Sequence, residues 1–247
     1  MAHLHGKHRA GDGVEMRYEP NGSGVSFALL ALAVLVAAVP VSGQQTLFNV
    51  PSADVLGPTQ VYLEEDNLWR SGRPDDTFFT GRGVVGLGDH VEGGVNLGGF
   101  VARGRTVPTG TLELKWQPLH NSEWSLTGGV QGLFYLRGGT DGSPSAQLYA
   151  HAAWVPRDGT RITAGAWYAT SGFADVGVAR GALAGFEQRI APALNFQADW
   201  FSGKNGIGYF TPGFALTLGK WVLYGGWSLK NGEPHENAAL LEVGLNL

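Results

Sequence analysis

The chain has 247 residues, a formal net charge of −4, 15% charged residues and no Cys. Without Cys there are no disulfides and no thiolate metal sites, and without a basic tract the sequence argues against nucleic acid as a partner. A mean hydropathy of −0.04, with 39 Gly, 8 Trp, 7 Tyr and 12 Phe, describes apolar and polar residues interleaved, unlike a helical membrane protein.

Residues 25–41 (VSFALLALAVLVAAVPV) form a continuous apolar run preceded by Lys7, Arg9 and Arg17. Pro40 and the small residues at Val41 and Gly43 suit cleavage before Gln44, so residues 1–43 are read as a secretory signal peptide. An uncleaved anchor is the alternative, because the run matches the shortest membrane-spanning helices. The upstream stretch carries His3, His5 and His8; a start at Met16 would restore an ordinary signal, and is favoured over a metal-binding tract. From 44 to 58 (QQTLFNVPSADVLGP) no alternation exists. Residues 51–54 suit one helical turn capped by Ser52, as a small plug in the periplasmic mouth, and a disordered leader is the other reading.

The remainder, 59–247, reads as one all-β unit. Twelve alternating segments are expected near 59–69, 78–89, 92–104, 108–118, 122–137, 144–156, 159–170, 177–189, 193–203, 206–218, 220–230 and 235–247. Side chains on a strand alternate faces, so the period-two pattern assigns each residue a side. In the last segment Ala239, Leu241, Val243, Leu245 and Leu247 oppose Glu242 and Asn246. The second and eighth segments are Gly-rich and poorly patterned. Short connectors alternate with somewhat longer ones rich in Gly, Asp and Pro, and an even count places both termini on one side. Trp124, Trp154, Trp200, Trp221 and Trp227 fall on the apolar face, mostly near strand ends, where amphipathic rings favour the headgroup level. A soluble β-sandwich would need large residues facing one another. Here the same face carries Gly128, Gly132, Ala150, Ala152, Ala198 and Gly225. The expected fold is a transmembrane antiparallel up-and-down β-barrel in a bacterial outer membrane.

Function is then sought in the lumen. The inward positions are Glu113, Lys115, Gln131, Tyr135, Arg137, Gln147, Tyr149, His151, Arg161, Asn195, Gln197, Asp199, Lys220, Tyr224, Lys230 and Glu242, with Glu187 and Arg189 less securely placed. Both signs occur and neither dominates, so the charges either pair across a narrow lumen or line a wet path. No Gly-x-Ser-x-Gly, HExxH or calcium-loop motif stands in the mature chain, and no catalytic residue, metal ligand or cofactor is assigned. His151 reads as a lumen residue before a catalyst.

Residues 48–66 (FNVPSADVLGPTQVYLEED), residues 236–247 (ENAALLEVGLNL) and the hairpins between them resemble porin-like outer-membrane barrel proteins. The resemblance is one of architecture over the whole mature chain, and it departs at Leu247, where that family commonly ends on an aromatic residue. It implies outer-membrane lipid, the barrel-assembly machinery with periplasmic chaperones, and small solutes as partners. The expected function is passage or binding of small solutes. A non-conducting structural or adhesive barrel with an ion-paired lumen is the alternative, and a lipid-modifying barrel enzyme a more distant one.

Overall fold

A computed structural model describes residues 45–72, 76–102, 105–137, 145–174 and 177–247. The expected signal peptide, most of the connector at 137–143 and parts of those at 70–77, 104–107 and 170–176 lie outside these residues.

Twelve strands follow one another as neighbours. They are β1 (Val61–Arg70), β2 (Thr77–Gly88), β3 (Val91–Ala102), β4 (Arg105–His120), β5 (Trp124–Tyr135) and β6 (Ser145–Arg157). The second half holds β7 (Thr160–Ala169), β8 (Arg180–Ala191), β9 (Leu194–Phe201), β10 (Tyr209–Leu218), β11 (Trp221–Lys230) and β12 (Ala238–Asn246). Each pairs antiparallel with the next, and β12 returns to β1 from Tyr62↔Asn246 to Arg70↔Ala238, so the sheet closes and has no free edge. All twelve expected segments form strands, including the weakly patterned second and eighth. One helical turn, α1 (Ser171–Ala174), and a 3-10 turn at Pro234–Glu236 stand in the longer connectors.

The alternation in sequence becomes an inside and an outside. On β12, Ala238, Leu240, Glu242, Gly244 and Asn246 are buried, while Leu241 is 46% exposed. Leu112, Leu114, Leu148, Ile162 and Phe214 are likewise exposed along the strands, forming an apolar belt around the barrel. Near the end holding both termini stand Trp116, Trp124, Trp154 and Trp221; near the other end stand Trp69, Trp200, Trp227 and Tyr168, all exposed. Trp124 and Trp154 are paired across β5 and β6 and stack with centroids 5.8 Å apart. The five tryptophans expected at the interface are therefore outside, in two girdles. Trp167 is the exception among the tryptophans, buried in the lumen with its indole N–H donating to Ala182 O at 3.1 Å. One acidic residue breaks the outward apolar row at mid-strand: Glu65, exposed between Leu63 and Asn67.

An apolar belt about a closed sheet, bounded by aromatic girdles, defines a transmembrane β-barrel of the bacterial outer-membrane class. Leu241→Arg places a charge in this belt opposite Asn67 and Gly225. We expect it to cost on the order of 2–4 kcal/mol in urea-driven unfolding from lipid vesicles, and an unchanged unfolding free energy would contradict the orientation.

Candidate functional site

The inward side chains would need water or one another, and much of what they find is residues 45–58. The segment does not form the helical turn expected at 51–54. It folds instead into a tight loop inside the barrel: Thr46 bridges Pro51, Leu47 N–H donates to Val50 O at 2.9 Å, and Ser52 N–H donates to Gln45 O at 2.9 Å. Ser52 Oγ accepts from Asp54 N–H at 3.3 Å, so it shapes a turn without starting a helix. Gln45, Thr46, Leu47, Phe48, Val50, Pro51, Ser52, Ala53 and Leu56 are buried.

At the loop's tip one carboxylate collects three consecutive amides. Asp199 Oδ2 on β9 accepts from Phe48 N–H at 3.0 Å, Asn49 N–H at 2.5 Å and Val50 N–H at 2.7 Å. Asn49 Nδ2 donates to Asp199 Oδ1 at 3.3 Å and to Thr211 Oγ1 at 2.8 Å, while Gln197 Nε2 donates to Leu47 O at 2.5 Å. Successive amides turned to one point make an anion nest, here filled by a side chain of the wall. Lower in the barrel Lys115 Nζ donates to Asp54 O at 2.8 Å and pairs with Glu92 at 2.8 Å, and Glu92 Oε2 accepts from Leu56 N–H at 2.7 Å. Gln117 and Thr127 both donate to Ala53 O. Arg161 pairs with Asp54 at 2.8 Å and with Glu187 at 3.7 Å.

Apolar contacts match this polar set. Val50 joins Tyr149, Trp167, Ala169, Leu183 and Phe201; Phe48 joins Ala215, Val222, Tyr224 and Leu240; Leu56 joins Tyr62 and Val84. Two inward glycines leave the room: a Cβ on Gly213 would lie 2.5 Å from the Phe48 ring, and one on Gly185 would lie 2.7 Å from Leu47 Cδ2.

Most expected lumen residues are brought together. Lys115, Gln147, Tyr149, His151, Gln197, Asp199, Tyr224 and Glu242 are buried, and Glu113, Gln131, Arg161 and Asn195 are half-buried. Glu113 accepts from Gln131 Nε2 at 3.2 Å. Lys230 sits at the far rim, with Nζ donating to Asn205 O at 2.6 Å and lying 4.3 Å from the centre of the Tyr209 ring.

Four expected positions lie apart. Tyr135 is 44% exposed at the end of β5, Arg137 is exposed beyond it, and Lys220 is exposed in the turn before β11. Arg189 is exposed and pairs with Asp158 in the β7 turn. These are ends of strands, where the alternating pattern continues in sequence after the wall has stopped.

The sequence reading missed Glu64, Asp66, Arg82 and Glu92. Arg82 pairs with Glu64 at 2.7 Å and Asp66 at 3.2 Å. With them the inward carboxylates outnumber the inward cations among the described residues. Glu64, Asp66, Glu92, Glu113, Glu187, Asp199 and Glu242 face Arg82, Lys115 and Arg161, with Arg70 and Lys230 nearer the rim. The signal was the alternation Tyr62, Glu64, Asp66 in β1, obscured by the outward Glu65 between them. His151 stacks on Tyr149 with centroids 5.9 Å apart, and among the described residues neither ring nitrogen has a hydrogen-bond partner. No serine hydroxyl among the described residues is hydrogen-bonded to it.

No family model matches the sequence, and no curated protein matches it. Among solved structures the chain is similar to the KdgM porin, with a TM-score of 0.53 and 8% identity over 75% of this chain and 97% of that one. It is also similar to the Acinetobacter baumannii outer membrane protein Omp33, with a TM-score of 0.50 and 8% identity over 76% and 98%. The Salmonella typhi outer membrane phospholipase is a weaker likeness, at a TM-score of 0.45 with 13% identity over 76% and 90%. At these identities the likeness is one of fold: a porin-like outer-membrane barrel.

Burial alone would raise the pKa of Asp54, but Arg161, Lys115 and His120 outweigh it and hold the carboxyl below its ordinary value. A lowered folded pKa contributes stability that is complete above the unfolded value, about 3.9, and lost as pH falls through the lowered one. Protection of the 45–56 amides against hydrogen exchange is expected to survive at pH 5 and to weaken only below about pH 4 through this group. In Arg161→Gln the loss should begin at higher pH. An unchanged pH dependence in that variant would show that the pair does not hold the segment.

Proposed function

We propose that this protein is a porin-like outer-membrane channel for small solutes, and that residues 45–56 are its plug. The observation that carries the reading is the loop held by Asp199, Lys115, Gln117 and Arg161 in the middle of a polar lumen. A lumen filled by its own side chains would pair its polar groups within the wall. This one offers charged and amide groups to a separate segment, and those groups would face water once the segment left. Twelve strands give a girth between barrels that fill with side chains and barrels that stay open. A removable segment reconciles that girth with a closed resting state. The excess of carboxylates favours cations over anions, because rings of Asp and Glu attract them. The reading assigns no catalytic residue.

Planar-bilayer recordings test this. Full-length wild type is expected to conduct rarely, and a chain lacking residues 45–56 to conduct continuously with cation preference. Asp199→Asn, which weakens the nest, should raise the open fraction. Glu113→Gln should reduce cation preference in the deletion background without altering assembly. A folded deletion chain that never conducts would remove the transport reading and leave a non-conducting structural barrel with an ion-paired lumen.

A further inference from the structure

The seam where β12 closes onto β1 carries a charge pattern that its own side chains leave unbalanced. Asp66 on β1 and Glu242 on β12 are direct cross-strand partners on the lumen face. Like charges placed opposite one another destabilise a sheet. Glu64 stands two residues from Asp66 on the same face, and one oxygen from each of the three carboxylates lies within 4.8 Å of the others. Arg82, opposite Glu64 on β2, pairs with Glu64 Oε1 and Asp66 Oδ2. The Tyr62 hydroxyl donates to Glu64 Oε2 and lies 3.4 Å from the Tyr224 hydroxyl. With all three carboxylates ionised, one guanidinium leaves two negative charges uncompensated.

A second observation concerns carboxylate oxygens that no donor reaches. Glu242 is 1% exposed, and its Oε2 has no hydrogen-bond donor among the described residues; the same holds for Asp66 Oδ1. Both belong to residues of the cluster, and Arg82 pairs with neither atom. Buried charges in proteins are paired or coordinate metals, so a carboxylate oxygen without a donor at this depth calls for a cation or a proton. The ligand set is all oxygen, which suits a hard cation over zinc or copper. Calcium takes carboxylates at about 2.3–2.6 Å in irregular geometry with waters completing the shell, so one ion spans oxygens this far apart. Magnesium demands near-ideal octahedral geometry, which ligands fixed on adjacent strands do not readily supply.

We propose that Glu64, Asp66 and Glu242 form a divalent-cation site of the calcium class on the lumen wall, stapling β1 to β12 at the closure of the barrel. The ion neutralises the two surplus charges and replaces cross-strand repulsion with a shared ligand. The site is formed wholly by the wall and stands whether or not residues 45–56 act as a plug. The rival solution is a proton shared between neighbouring carboxyls, which needs no metal.

The test uses the full chain extracted in detergent from outer membranes, stripped with EDTA and titrated calorimetrically with calcium chloride. One calcium per chain is expected, with an upward shift of the thermal unfolding midpoint. Glu242→Gln and Asp66→Asn should each weaken binding at least tenfold, while Glu113→Gln, a lumen carboxylate outside the cluster, should bind as wild type does. Wild-type protein that binds no calcium at millimolar concentration overturns the proposal and leaves the shared proton. So does binding that neither seam variant weakens. If one seam variant fails to fold, the wild-type stoichiometry and the other variant still decide.

Discussion

The closed sheet sets the governing constraint. Once β12 pairs with β1, inward groups are cut off from lipid and largely from bulk water, so each must be answered from within the barrel. A lumen of this girth has more wall than its own side chains can satisfy. The segment before β1 supplies the deficit with backbone groups, which carry a donor and an acceptor at nearly every residue. Asp199 shows how this works. A carboxylate buried on β9 would be costly alone, but three amides of 48–50 supply it with donors. The same amides, left without Asp199, would be orphan donors. Wall and segment therefore complete each other.

The strands were legible because two solvents act on one chain. Lipid outside and a polar interior force a period of two, and β5, β6, β11 and β12 carry it almost without fault. Register followed, since slipping one residue would exchange faces along the whole strand. The weakly patterned β2 and β8 form because their neighbours already fix the ladder; closure demands a strand there whatever its composition. Strand ends were less legible, as Arg137 and Lys220 show, because alternation in sequence does not reveal where the wall stops.

The segment 45–58 was legible only as a place where the pattern had not begun. Its conformation has no period, because it is set residue by residue against the wall. Ser52 looked like a helix cap, yet its hydroxyl serves a turn, since the helix would carry Ala53 O away from Gln117 and Thr127. The clearest trace lay elsewhere in the chain. Gly213 and Gly185 occupy inward positions where a side chain would otherwise reduce the lumen, and both face the segment's apolar residues. Inward glycines beside inward carboxylates mark space reserved for the segment's side chains.

Closure of the barrel and occupation of its lumen rest on separate sets of contacts. The seam runs over nine residue pairs of β1 and β12, with Leu247 and Val61 exchanging backbone bonds beyond them, and none of these involves residues 45–56. The segment is tied to β1 through 57–60, where Gly57 accepts from Gln60 and Thr59 donates to Gly86 O. Removing the loop from the lumen thus breaks side-chain contacts and the Asp199 nest but no ladder bond. Its cost is local, and it falls on charged and amide groups that water can satisfy as the lumen wets. The apolar contacts of Phe48, Val50 and Leu56 oppose release, because those side chains would enter water. The balance between these two sets, and not the stability of the sheet, decides whether the lumen is closed.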